Sequence, residues 1–278
     1  MEKHTDAIAA HYERDNLADA IVAALEADGK DLSALNIDDL QMVDEVHSRG
    51  RETTLQVVAL TDFSPEHKVV DLGSGLGGPA RYIAKTFGCQ VTGIDLTGSF
   101  VDAANRLSEL LGMTDSTDFQ SGSALETPFD DNCFDRAVTI QMQMGIADKE
   151  RFYQEVFRIL KPGGIFIFQD IVAGPTKGPI HTPTPWASMP EQSFLYAPET
   201  LHKAIEGAGF ETEIWRDSTP EMKAWQAQQN TAPRPEGPRL NVGIHLVFGS
   251  TAGEKRKNSQ RNQNEDRIGY IQAAFRKP

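Results

Sequence analysis

Residues 69–97 constrain the fold of this chain most tightly. Val69 and Val70 begin an apolar run that reaches Asp71 and then breaks on Gly73, Gly75, Gly77 and Gly78. Pro79 follows where the first turn of a helix has no use for its N–H. Arg81, Ile83 and Phe87 carry that helix to Gly88, the residue type most at ease in a left-handed cap. A second apolar run, Gln90 to Ile94, ends on Asp95. Strand, glycine turn, helix, strand and carboxylate make the first half of a nucleotide-binding α/β sheet.

The acid at each end of this unit narrows the ligand. Asp95, at the tip of the second strand, is placed to accept hydrogen bonds from two ribose hydroxyls, so an adenosine is expected. Gly73, Gly75 and Gly78 also satisfy the dinucleotide spacing G-x-G-x-x-G. A dinucleotide would lay an anionic pyrophosphate over the turn, where Asp71 repels it at low dielectric. A ligand with a cationic sulfonium and a zwitterionic tail suits that acid better.

Composition excludes several classes of partner. The 278 residues carry a formal net charge of −13, opposite to what a nucleic-acid or anionic membrane surface attracts. No stretch approaches the roughly 18 apolar residues of a membrane span, and the charged first fifteen residues lack a signal-peptide core, so a cytoplasmic protein is expected. Cys89 and Cys133 show neither metal-ligand spacing nor a disulfide framework, and no metal site is expected.

The rest of the chain continues the alternation. Helical spacing spans residues 5–28 (Ile8, Leu17, Ile21, Leu25) and 51–59, and Phe100, Ala103, Leu107 and Leu110 mark a helix closed by Gly112. Strands are predicted at 117–124, 137–143 and 164–172, with a helix through Phe152, Val156 and Ile159 between the last two. Beyond them lie a proline-rich loop (174–200), a helix at 201–209, a strand at 211–218, an insertion at 219–265 and a final strand at 268–277. The expected fold is α/β, a doubly wound, mostly parallel seven-stranded sheet of Rossmann-like type with N-terminal helices and a C-terminal lid insertion. The expected division is a helical cap (1–64), a binding core (65–175) and a substrate loop, lid and last strands (176–278).

Asp71-x-Gly73-x-Gly75-x-Gly77 with Asp95 resembles the class I methyltransferase motif. The loop 125–136 and the run Arg158 to Gly164 extend the likeness to the type 11, or UbiE-like, methyltransferase core. A looser resemblance, through residues 91–97 and the Pro185-Trp186 segment followed by residues 193–201, is to sarcosine and dimethylglycine N-methyltransferases. These resemblances imply S-adenosyl-L-methionine as cofactor and a small-molecule methyl acceptor, nitrogen slightly favoured, with a homodimer left open. They imply a cofactor shell of Asp71, Gly73, Ser74, Gly75, Asp95, Leu96, Ser123, Ala124 and Gln141.

Two departures stand out. Ser123 replaces the aspartate commonly found after strand three, and Met142 stands where relatives often carry a histidine, removing that base. Methyl transfer from a sulfonium needs no acid, and a base only if the acceptor arrives protonated. The candidate bases are His181 and His245, with Glu191 and Tyr196 beside them. Trp186, Tyr196 and Trp225 are candidate acceptor contacts through their rings. Tyr12, His47 and Arg51 could face the site from the cap. A nicotinamide (NAD or NADP) oxidoreductase and a cofactor-binding protein without chemistry are the competing readings.

Overall fold

The computed structural model describes residues 12–231 and 240–278. The seven strands β1 (Lys68–Leu72), β2 (Gln90–Asp95), β3 (Thr117–Ser121), β4 (Phe134–Ile140), β5 (Leu160–Ala173), β6 (Glu211–Asp217) and β7 (Ile268–Arg276) form one sheet in the order β3-β2-β1-β4-β5-β7-β6. The first five run parallel, and β7 is antiparallel to both β5 and β6. The mostly parallel seven-stranded sheet is therefore as expected. Strand order reverses between β1 and β4, which opens a crevice at the carboxyl ends of the strands there.

Both faces of the sheet are covered, which is why its inner strands read as apolar runs rather than alternating ones. On one face Phe152, Tyr153, Val156 and Ile159 of α6 (Lys149–Ile159) pack on Phe166, Phe168 and Phe275. On the other, Ala80, Ile83 and Ala84 of α4 (Gly78–Phe87) and Val57 of α3 (Arg51–Val58) pack on Val69, Val91, Val138 and Ile167. The helix α4 ends at Gly88, whose φ of 75° is the left-handed cap expected there.

A separate cluster forms the roof over the crevice. Leu17, Ile21 and Leu25 of α1 (Leu17–Ala27) and Leu40 and Val43 of α2 (Ile37–Asp44) meet Leu76 of the glycine turn and Phe100 of α5 (Gly98–Leu110). Val242 and Phe248, far along the chain, join them. Asp28 fixes this junction by accepting from the backbone N–H groups of Asn241 and Val242, both at 2.9 Å. The C-terminal insertion thus reaches over to the N-terminal helices.

Several boundaries differ from expectation. Ile8 lies outside the described residues; within the span expected to be helical, Tyr12 is helical, residues 13–16 are not, and Asn16 in left-handed conformation precedes α1. The insertion carries the helices α8 (Thr219–Thr231), α9 (His245–Phe248) and α10 (Ala252–Asn264), which follow α7 (Pro198–Gly207). Among the described residues no helix is long and apolar enough to cross a membrane.

Candidate functional site

A cavity occupies the crevice, about 1420 Å³ counted out to its open mouth. Strand ends supply its floor: Asp71 near the end of β1, Asp95 ending β2 with Leu96 after it, Ser123 and Ala124 after β3, and Gln141 after β4. Gly73, Ser74 and Gly75 line it as well, so all nine residues expected around the cofactor face one cavity.

The glycine turn is held open by its neighbours. Asp95 accepts from the Gly75 N–H through Oδ2 and from the Thr97 N–H through Oδ1, both at 2.9 Å. One lone pair on each oxygen remains for a ligand. Gly75 has φ 54°, and a Cβ built there would meet nothing within 4 Å, so its backbone borders open space. At Gly73, φ 74°, a Cβ would strike the side chain of Met142. Positive φ selects glycine at both positions, and at Gly73 the close approach of Met142 adds to it.

Unsatisfied polar atoms concentrate here. Asp44 Oδ1, His47 Nδ1, Asp71 Oδ2 and Ser74 Oγ are buried without a hydrogen-bond partner, and all four residues line the cavity. Buried polar groups are almost always paired, so such a cluster marks a place where a ligand completes the bonding. Burial, reinforced by the Asp95 and Glu45 carboxylates, pushes the Asp71 carboxyl up to about 7. Burial raises Asp95 too, opposed by the N–H groups of Thr97 and Gly75.

The cap presents His47. Glu45 Oε2 lies 3.0 Å from His47 Nε2 and accepts from Thr54 Oγ1 at 2.6 Å, while Oε1 pairs with Arg51. Burial works to raise the Glu45 carboxyl, but these partners, His47 foremost, outweigh it and hold the group down at about 2. An ionised carboxylate only accepts, so His47 Nε2 is the donor in this pair. Tyr12 also lines the cavity, its ring 5.6 Å from that of Phe100. Arg51 does not; it is committed to Glu45.

Beyond β4 the chain turns sharply. Gln141, at φ 51°, accepts from the Ser48 N–H and donates to Gln169 Oε1, both at 3.0 Å, joining the cap loop to the sheet. Asp170 then accepts from the N–H groups of Met142 and Gln143, at 3.0 and 2.7 Å. Burial pushes its carboxyl up to about 6 against those donors. The result is a wall of Met142, Met144 and Ile146, which sequence reading missed. An aspartate inside the apolar run of β5 was the available signal.

The other candidates are placed unequally. Trp186 lines the cavity, with Nε1 donating to Ser193 Oγ at 2.8 Å. His181, by contrast, does not line the cavity: its Nε2 lies 2.7 Å from Glu265 and its N–H donates to Asn262, pinning the loop to α10. His245 opens α9 and Trp225 sits half-buried on α8, both outside the cavity wall. Tyr196 covers Lys149, whose Nζ is 5.1 Å from its ring, and Glu191 is exposed. The structure therefore brings neither His181 and His245, the expected bases, nor Trp225 and Tyr196, expected acceptor contacts, to the wall of this cavity. Loop composition named them, and long-range pairing put them elsewhere.

Known proteins share this arrangement. Residues 70–168 match the family described as Methyltransferase domain. The chain is 32% identical over 130 residues to glycine/sarcosine/dimethylglycine N-methyltransferase of Actinopolyspora halophila, covering 47% of this chain and 23% of that protein. It is 30% identical to methyltransferase GfsG of Streptomyces halstedii over 144 residues, 52% of each. The chain therefore spans between 23% and 52% of the length of these relatives. The crystal structure of geranyl diphosphate C-methyltransferase from Streptomyces coelicolor A3(2), which contains S-adenosyl-L-homocysteine, superposes with a TM-score of 0.70. That match covers 99% of this chain and 98% of the other at 18% identity, which establishes the fold. The glycine turn, Asp95 and the wall after β4 all lie within residues 70–168, the segment that matches the methyltransferase domain family.

Proposed function

We propose that this protein transfers a methyl group from S-adenosyl-L-methionine to a small-molecule acceptor, with nitrogen as the favoured acceptor atom. The carrying observation is the buried, unpartnered Oδ2 of Asp71 beside the glycine turn, in a cavity whose charged groups are acidic. That donor set fits a ligand with a cationic sulfur and an ammonium, and opposes the pyrophosphate of a nicotinamide dinucleotide. The N-methyltransferase of Actinopolyspora halophila supports nitrogen.

Bound at the turn, the cofactor supplies a methyl group on positively charged sulfur and departs as a neutral thioether. The protein's work is then to align the acceptor and exclude water. Asp95 and the Gly75 backbone would hold the adenosine sugar, and Asp71 and Ser74 the amino-acid tail. The wall of Met142, Met144 and Trp186 would keep water from the acceptor. His47 Nδ1, with Glu45 behind Nε2, would take the proton of an ammonium or hydroxyl acceptor. Its neighbour Glu45 would stabilise the resulting imidazolium.

Thermal-shift titration with S-adenosylmethionine, S-adenosylhomocysteine, NAD and NADP tests the reading. Either sulfur compound should stabilise the fold by about 2.7 kcal/mol at a hundredfold excess over its Kd. Stabilisation by NAD or NADP alone would replace it with the oxidoreductase reading.

A further inference from the structure

We infer that the acceptor end of the cavity takes a neutral or cationic molecule with an apolar body and turns away carboxylates and phosphates. This rests on the proposed methyl transfer, since it assigns the β1–β2 side of the cavity to the cofactor. The acceptor end is then the part across β1, formed by the turn after β4 and the loop that carries Trp186.

Its walls are Leu125, Met142, Met144, Ile146 and Trp186. Trp186 spends its only polar atom on Ser193 and so offers the cavity hydrocarbon and ring surface. The charged side chains lining the whole cavity are Asp44, Asp71, Asp95 and Asp148, and among the described residues no lysine or arginine lines it.

Nearby cations are engaged elsewhere. Arg81 Nη2 binds Asp44 at 3.0 Å, Arg51 binds Glu45, and Lys149 Nζ donates to the carbonyls of Gln143 and Ile146. A helix N-terminus can also receive an anion, and α6 starts beside this wall. There Asp148 Oδ1 accepts from the Arg151 N–H at 3.1 Å, so a carboxylate of the protein already holds that position. A second carboxylate or a phosphate would be buried next to Asp148 with no lysine or arginine to pair with it, whereas an ammonium would gain a counter-charge.

The test is calorimetry on the full chain. S-adenosylhomocysteine is titrated first, and the saturated protein then receives 2-phenylethylamine, 2-phenylethanol, 3-phenylpropanoate or 2-phenylethyl phosphate in separate runs. The amine and the alcohol should bind at least about tenfold more tightly than the two anions. Asp148→Asn, which keeps a capping side chain, should narrow the margin of amine over alcohol. Equal or tighter binding of either anion overturns the inference, as does binding of none of the four. A missing heat for S-adenosylhomocysteine instead removes the methyl-transfer reading itself.

Discussion

The Gly75 N–H donates to Asp95 Oδ2 at 2.9 Å, so the acid that ends β2 also fixes the backbone of the glycine turn that follows β1. One side chain thereby sets the spacing between two parts of the cavity. Its removal should act on both at once. Asp95→Ala is expected to weaken S-adenosylmethionine binding by about 10–100-fold, the worth of one hydrogen bond to a charged group at roughly 1.5–3 kcal/mol. Asp95→Asn keeps one acceptor oxygen and should lose less. Calorimetric titration of both variants measures the difference, and unchanged binding in the alanine variant would refute the assignment.

The Asp71 carboxyl makes the ligand-free protein sensitive to pH. Burial first, then the Asp95 and Glu45 carboxylates, raises it from 3.8 to about 7. A carboxyl whose folded-state pKa is raised holds its proton more tightly when folded, so its contribution is full below 3.8 and is lost as pH rises through about 7. The limiting slope is about 1.4 kcal/mol per pH unit. Asp170, raised to about 6, acts with the same sign; Glu45, held at about 2, acts oppositely and only below its ordinary 4.5. Asp71→Asn should therefore flatten the fall in melting temperature between about pH 5 and pH 8. A variant whose profile parallels that of the unaltered protein would show that Asp71 titrates normally.

How far the sequence disclosed this site depended on the range of the interactions. The turn from Gly73 to Gly78 and the cap at Gly88 are local devices, and the strands are apolar runs, so all were readable. The docking of α10 was not, because its contacts are polar and distant: Asn262 Nδ2 donates to the His181 carbonyl at 2.9 Å, and Lys255 lies 5.2 Å from the Phe248 ring. His181 stood as a candidate base for the same reason, since nothing local announces Glu265, far along the chain. His47 was named as facing the site, but its partner Glu45 lies two residues earlier in a segment without helical or strand period. The wall after Gln141 depends on Asp170, a pairing between β4 and β5 that periodicity does not carry.

Beneath the roof, Arg81 and Asp44 form an ion pair at 3.0 Å with both side chains fully buried. Arg81 also donates to the Ala104 carbonyl at 3.1 Å and to the Leu76 carbonyl, linking α2, α5 and the glycine turn. Removing one partner leaves the other charge buried alone, at a cost of about 3–5 kcal/mol. Asp44→Ala should lower the melting temperature by roughly 10 °C, at about 2–4 °C per kcal/mol for a domain of this size. The double variant Asp44→Leu with Arg81→Met should recover most of that loss, because hydrophobic replacement of a whole buried pair is often neutral. Thermal denaturation of the two proteins decides whether the pair stabilises the roof or only avoids an orphaned charge.

Gly75→Ala separates the needs of the ligand from those of the fold. The new methyl group would meet no protein atom within 4 Å, so packing is undisturbed. Its φ of 54° remains, and a non-glycine residue there costs roughly 1–2 kcal/mol. Denaturation should therefore show a folded protein with a modest loss of stability. The same methyl group projects into the space where the ligand must approach the backbone, so S-adenosylmethionine binding should fall by well over the factor that strain alone explains. Gly73→Ala should behave differently, because its Cβ collides with Met142 and disturbs the acceptor wall as well as the turn. A Gly75→Ala protein that binds S-adenosylmethionine normally would place the ligand away from the turn. The tail contacts assigned to Asp71 and Ser74 would then have to be abandoned with it.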